Sequence, residues 1–307
     1  MGNEFKGLAS HSAEWFGDTR DHWWHRDTIA RLGERMGAGA LRRALDVGCG
    51  VGHWGRTLAS VLPPDARVEG VDRESAWVEK AQEKAAAVGL GERFRYRRAL
   101  ADELPFEDGA FDLVTCQTVL IHVPDAAKVV REMARVTRPG GIVLLAEPNN
   151  AVWPILEATV LGVSPDDAAS LLRFHAYCML GKRLRGEGDE NVGEILPGLL
   201  HDVGLEEIEI RMTDRAGPMI PPYATPAERA LAEEMIDHDE RDLWVWSYAD
   251  TKIRFLAGGG PEPSFDALWG IAMDVRKRVA QAVKEKRYAA SGGGLFYVGW
   301  GRKPSAG

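Results

Sequence analysis

The chain is short of positive charge, of cysteine and of long apolar runs, and each shortage excludes something. Lys and Arg number 38 against 46 Asp and Glu, a formal net charge of -8. A polyanion is repelled by such a chain on average, so nucleic acid is not the expected partner unless a local basic patch overrides the mean. The three cysteines, Cys49, Cys116 and Cys178, show no CxxC or paired spacing. They read as reduced thiols of a cytoplasmic protein, and no metal site is expected from them. No apolar run reaches the roughly 18 residues of a membrane span. The opening "MGNEFKGLASHSAEWFGDTRDHWW" has no apolar core of the signal-peptide kind, and Lys6 stands where a myristoylation signal wants Ser or Thr. Self-similarity at a period of roughly 20–50 residues is also missing.

What is present is enough apolar material, 45% of 307 residues, for a sizeable core. Residues 10–37 read as helical, anchored by Trp15, Trp23, Trp24, Ile29 and Leu32 and stopped at Gly37 and Gly39. Strands and helices then alternate. Strands are expected in "RALDVG", "RVEGVD" (67–72), "FRYRRAL" (94–100), "FDLVTCQ" (111–117) and "GGIVLLAEP" (140–148). Helices are expected in "GRTLASVL", "SAWVEKAQEKAAAVG" and "DAAKVVREMARVT". This rhythm indicates an α/β fold with a doubly wound, mostly parallel sheet. After Pro148 the rhythm breaks. "LEEIEIRMT" (205–213) and "GLFYVGWGRK" (294–303) read as two last strands, with about 80 mostly helical residues between them.

The expected organisation is a helical cap over 1–40 and a nucleotide-binding type of core over 41–150. A helical insertion over 151–200 and a core strand over 201–214 follow. A helical lid and acceptor-binding insertion spans 215–292, and a final strand and tail span 293–307.

One stretch, "RRALDVGCGVGHWGRTLA" (42–59), places Gly48, Gly50, Gly52 and Gly55 where a strand gives way to a helix. Glycine there costs conformational entropy, so something must gain from bringing backbone close to another body. Two readings fit. "GVGHWG" (50–55) is GxGxxG with Asp72 near the distance of a ribose-binding acid, as in a dinucleotide site. "DVGCGVG" (46–52) is instead D-x-G-x-G-x-G, with the acid inside the strand end.

The second reading is carried further by four ordered motifs: "ALDVGCGVGHWG", "VEGVDRES", "ADELPFEDGAFDLV" and "RPGGIVLLAEP". Together they resemble the class I S-adenosylmethionine-dependent methyltransferases, of the UbiE-like, methyltransferase type 11 group, over residues 41–150. The resemblance implies a seven-stranded Rossmann-like sheet and S-adenosyl-L-methionine as cofactor, with S-adenosyl-L-homocysteine as product. It places Gly48, Cys49, Gly50 and Gly52 under the cofactor, Cys49 as a small residue of the turn. Asp46 falls near the cofactor ammonium and Asp72 at both ribose hydroxyls; capping of the neighbouring turns is the plainer role for either acid. Gln117 falls beside the methionine portion. Where the family often has Asp for the adenine amino group, this chain has Leu100, so adenine recognition is expected from the backbone of Ala101 with Leu100 packing on the ring. Asp102 is a substitute acceptor for that amino group or a solvated loop acid. Arg73 is polar where many relatives are apolar.

Methyl transfer is an in-line displacement at an activated sulfonium carbon, so alignment and exclusion of water matter most. A base is needed only where the acceptor proton must leave early. His122, in "CQTVLIHVPD", is the candidate base or acceptor contact, against a structural role as a hydrogen-bonded loop histidine. "EPNN" offers Glu147, Asn149 and Asn150 for orienting the acceptor or for satisfying turn backbone. Trp15, Phe16, Trp23 and Trp24 either fold over the cofactor or pack a core. Trp244, Trp246, Tyr248, Trp269 and Tyr223 either line an apolar acceptor pocket or form a small core of the insertion. "DHDERD" (237–242) reads as a solvated helix face, because consecutive helical residues point apart. "RKRVAQAVKEKR" (276–287) reads as solvated lysines flanking a core stripe, Val279 to Val283.

The expected function is methyl transfer onto a small, partly apolar metabolite, with oxygen the favoured acceptor and nitrogen or carbon open. An RNA methyltransferase, an NAD(P)-linked oxidoreductase and a binding protein without catalysis are the alternatives.

Overall fold

The computed structural model describes residues 20, 22–213 and 216–305. Trp15 and Phe16 lie outside the described residues, as does the start of the helix expected from residue 10. Within them that helix is α1 (Arg26–Met36), which ends on Gly37 in the left-handed region and buries Ile29, Leu32 and Met36. Seven strands follow: β1 (Arg43–Val47), β2 (Arg67–Asp72), β3 (Phe94–Arg98), β4 (Phe111–Gln117), β5 (Thr137–Asn149), β6 (Glu206–Met212) and β7 (Leu295–Arg302). They form one sheet in the order β3-β2-β1-β4-β5-β7-β6. Neighbouring pairs from β3 to β5 are parallel, and β7 runs antiparallel to both β5 and β6. The order reverses between β1 and β4, the point at which open α/β sheets hold ligands beyond their strands' carboxyl ends.

The central parallel strands β1, β4 and β5 are largely apolar because both faces are covered, whereas the edge strand β3 carries three arginines and is mostly exposed. On one side α4 (Ala126–Val136) and α7 (Leu196–Asp202) pack against Leu45, Val114, Val143 and Leu145. The α4 helix opens on Asp125, whose carboxylate accepts the Lys128 N–H at 2.8 Å. It buries Val129, Val130 and Met133, each contributing about 1.5–3 kcal/mol as an upper figure. On the other side α1 and α2 (His53–Leu58) cover Ala44, Leu113, Ile142 and Leu144. α3 (Ser75–Ala87) lies along the β2–β3 end through Trp77, Ala81 and Ala85.

Beyond the sheet stand α5 (Trp153–Val160), α6 (Pro165–Leu184), α8 (Pro226–Glu240), α9 (Tyr248–Ala257) and α10 (Phe265–Lys284). They have their own apolar clusters, one around Phe174, Trp244, Phe255 and Phe265 and a smaller one around Met219, Tyr223, Val279 and Tyr288. The segment expected as an insertion over 151–200 does not pack as one unit. Val192, Leu196, Leu199 and Leu200 belong to the core under the sheet, while Leu171, Phe174 and Cys178 belong to the outer helices.

The helices α6 and α9 touch backbone to backbone: a Cβ on Gly181 would strike the Arg254 carbonyl, and one on Gly258 the Tyr177 carbonyl. In α10 the stripe Val279–Val283 is buried, as its pattern implies. No helix among the described residues is long and apolar enough to cross a membrane.

Candidate active site

The loop after β1 is shaped by Gly48, Gly50 and Gly52, at φ +65°, +50° and +74°. L-residues avoid that region. A Cβ on Gly48 would also fall 2.5 Å from Val119 Cγ2, and one on Gly52 2.5 Å from the Tyr96 hydroxyl. The bend therefore requires glycine on grounds of both conformation and space.

Two acids frame this bend. Asp46, on β1, is 1% exposed and accepts the Gly55 N–H through Oδ2 at 2.9 Å. Its Oδ1 is buried with no hydrogen-bond partner among the described residues. Burial, reinforced by the nearby Asp72 charge and opposed by the Gly55 N–H, raises its carboxyl to about 7. Asp72 closes β2. Its Oδ2 accepts the Gly50 N–H at 2.9 Å and its Oδ1 the Glu74 N–H at 3.0 Å. It is not the N-cap of α3, which is Glu74. Those two donors fix its orientation, and an ionised carboxylate accepts up to about four hydrogen bonds.

The remaining cofactor candidates gather at the same edge. Gln117 ends β4, 8% exposed, with Nε2 unpartnered among the described residues. Cys49 is buried, and its N–H bonds the Val71 carbonyl at 2.9 Å, tying the loop to β2. Leu100 is 51% exposed, an apolar side chain left open beside half-buried Ala101. Asp102 is engaged by Lys128 at 2.8 Å. Arg73 is exposed and leans on Glu74 at 3.4 Å.

S-adenosylmethionine fits this edge on observations of the residues themselves. The orphaned Asp46 oxygen suits an ammonium, the Gln117 amide a carboxylate or carbonyl oxygen, and Leu100 an aromatic ring. Among the described residues no group of three or more His, Cys, Asp or Glu side chains is placed to hold a metal ion.

Immediately after Gln117 the chain turns through Thr118, at φ +51°, into a short 3-10 turn (Leu120–His122). Glu147 holds this turn. Fully buried, its Oε1 accepts the N–H groups of Val119 and Leu120, each at 2.9 Å. Burial lifts its carboxyl to about 7 despite those donors. Of the two roles open to Glu147, the structure shows the satisfaction of backbone groups.

Thr118, Ile121 and His122 form one wall of a cavity of about 390 Å³. Trp24, Asn150, Trp244 and Trp246 also line it, so five of the expected catalytic and acceptor residues meet there: His122, Trp24, Asn150, Trp244 and Trp246. Four others do not line it. The Tyr223 hydroxyl donates to the Tyr288 carbonyl at 3.0 Å in the small outer cluster. The Asn149 amide donates to Glu194 at 3.2 Å, while its oxygen accepts the Ala151 N–H at 3.0 Å. Tyr248 meets Phe265 edge-on and Trp269 stacks on it, and neither reaches the cavity.

Several lining groups are not anticipated by the sequence. Trp153, Met179 and Met235 add apolar wall. His175, Glu190 and Arg276 add buried polarity, and Glu157 a half-buried carboxylate. His238 and Glu234 also line the cavity, which corrects the reading of 237–242 as a wholly solvated face: α8 turns His238 inward at 4% exposure.

At the cavity wall Glu190 pairs with Lys182, and its Oε2 accepts the Asn150 amide N–H at 2.7 Å. Lys182, 1% exposed, also donates to the Ile121 carbonyl at 2.7 Å. Burial opposes a charge on Glu190, yet Lys182 and then His122 hold its carboxyl below the usual range. Across the cavity Arg276 donates to the Trp244 carbonyl at 2.9 Å and lies 3.6 Å from Glu157.

Residues 45–145 match the family described as a methyltransferase domain. The chain is 37% identical over 134 residues to demethylmenaquinone methyltransferase of Halalkalibacterium halodurans, covering 44% of this chain and 53% of that one. It is also 37% identical over 124 residues to the same-named protein of Geobacillus kaustophilus, covering 40% and 51%. It thus spans about half the length of these curated relatives. Among solved structures, the YcgJ protein of Bacillus subtilis superimposes with a TM-score of 0.50 at 19% identity, over 92% of this chain and all of that one. A putative methyltransferase of Bacillus halodurans gives 0.50 at 18%, over 90% and 99%. At that identity the two structures speak for the fold alone. Strand order, glycine bend, paired acids and family match agree: the segment from Leu45 to Leu145 belongs to the class I S-adenosylmethionine-dependent methyltransferase domains.

Proposed function

We propose that this chain moves the methyl group of S-adenosylmethionine onto a small, largely apolar acceptor held in the 390 Å³ cavity. The observation that carries this is continuity: the cavity wall begins at Thr118, the residue after Gln117, so cofactor edge and acceptor space share one strand end. The curated relatives are named for demethylmenaquinone, which supports an acceptor with much apolar surface.

The cofactor supplies an activated methyl and a good leaving group. The chain's own part is placement. Asp46 ionises against an ammonium, Asp72 takes the sugar hydroxyls, Gln117 steadies the amino-acid portion, and Leu100 with Ala101 receives the base. Gly48, Cys49, Gly50 and Gly52 form the bed, and Arg73 stays at the solvent rim. The tryptophan-lined cavity excludes water. His122, which interacts electrostatically with Glu190, is the group to take a proton from an acceptor hydroxyl, and oxygen is the favoured acceptor atom. The net acidity of the chain favours a small molecule over RNA, in a cytoplasmic setting.

The test is a parallel titration with S-adenosylhomocysteine and NAD, followed by transfer of labelled methyl into fractionated cell extract and identification of the product. Homocysteine-nucleoside binding with a labelled small product is expected. Binding of NAD instead, or label found only in RNA, overturns the reading.

A further inference from the structure

On the wall of the cavity, His175 occupies a position that its hydrogen bond defines. Its Nε2 lies 2.9 Å from the Asn150 carbonyl oxygen. A carbonyl only accepts, so Nε2 carries the hydrogen and Nδ1 is left as a bare lone pair. The carbonyl cannot swing away, because the Asn150 N–H bonds the Glu190 carbonyl at 3.2 Å and its amide bonds the Glu190 carboxylate. Burial lowers the imidazole to about 4, so the ring is neutral near pH 7 and Nδ1 is not protonated. Nδ1 is buried with no partner among the described residues, on a side chain 2% exposed that lines the cavity. The ring stands edge-on to Trp244, centroids 5.7 Å apart. The partnerless N–H groups on the same cavity, Trp24 Nε1 and Arg276 Nε, are donors.

A buried acceptor without a donor costs free energy, and the cavity is the place from which a donor can arrive. The geometry points to His175 as a specificity-determining residue that requires an O–H or N–H donor on the bound acceptor molecule. This rests on reading the cavity as the acceptor site. Where His122 is placed to take a proton, His175 selects and orients a donor group and takes no proton in the reaction.

The test compares shape-matched ligands that differ in the donor. The full chain, saturated with S-adenosylhomocysteine, is titrated calorimetrically with 1-naphthol and 1-fluoronaphthalene, and with the 2-isomers. At least one naphthol is expected to bind about tenfold or more tightly than its fluoro partner. His175→Gln keeps a donor for the Asn150 carbonyl but removes the acceptor at the δ position, and should collapse that preference to about threefold or less. His175→Asn restores an oxygen near the δ position and should retain it. Neither variant should change S-adenosylhomocysteine affinity. In the wild type, the nitrogen resonance of His175 Nδ1 should lie in the unprotonated range and move upfield with naphthol only. Equal binding within both pairs, no binding by either naphthol, or a preference that survives His175→Gln overturns the proposal. If the wild type binds no S-adenosylhomocysteine, the methyltransferase reading falls, and the naphthol pairs without it still decide the role of His175.

Discussion

The two halves of this site are built on different principles. The proposed cofactor edge centres on backbone and two acids supplied by neighbouring strands, β1 and β2, within about 27 residues of sequence (Asp46 to Asp72), with Leu100, Ala101 and Gln117 beside it. The proposed acceptor cavity draws on residues from Trp23 to Phe296, and its walls are rings and charged side chains. One half depends on a fixed path of the main chain, and the other on side chains that many combinations of helices would provide. A common donor needs the first, and a particular acceptor needs the second.

Four experiments would break or sharpen that contrast. The largest effect is expected where the halves join. Lys182→Met strands the buried Glu190 charge and frees the Ile121 carbonyl, and should cost about 3–5 kcal/mol of stability, read by denaturant unfolding. A loss under about 1 kcal/mol would mean the join is not tight. Next, Asp72→Ala should weaken S-adenosylhomocysteine binding by about 2 kcal/mol or more, with little change in the outer helices.

Third comes pH. Burial raises Asp46 in the folded chain from 3.8 to about 7. The unfolded chain gives up that proton first, so Asp46 favours the fold at low pH and this contribution is lost as pH rises through about 7. An ammonium partner binds the ionised form. Affinity for S-adenosylhomocysteine should therefore rise about tenfold between pH 6 and 8, and Asp46→Asn should flatten the profile. A flat wild-type profile would detach Asp46 from the ammonium. The smallest effect belongs to Tyr223→Phe. It removes the bond to the Tyr288 carbonyl and should lower stability by about 1 kcal/mol while leaving ligand binding intact. A drop in acceptor binding would return Tyr223 to the cavity.

The same contrast explains what is legible in the sequence. Strands β2 and β4 occupy the expected residues, 67–72 and 111–117, because buried parallel strands show as short apolar runs bounded by turns. The glycine bend is legible because a positive φ leaves few choices of residue. The cavity is not. Nothing local distinguishes His175 from any histidine on a long helix, and its meaning comes from Asn150, 25 residues away. Tyr223 and Trp246 both resemble wall, yet only the packing of α10 decides that one of them seats its hydroxyl on the Tyr288 carbonyl. His238 is hidden by its charged neighbours, although a helix always turns one side inward. A histidine inside "DHDERD" is the available signal.

The contact of Gly181 and Gly258 across α6 and α9 sets a limit on redesign. With main chains already touching, no larger residue fits at either glycine without prising the pair apart. The helices cannot come nearer, and separating them would open Phe174 and Phe255 to water. Changing which molecules this chain accepts is therefore a matter of trimming or exchanging rings such as Trp153, Trp244 and Trp246, with the spacing of the scaffold left as it is.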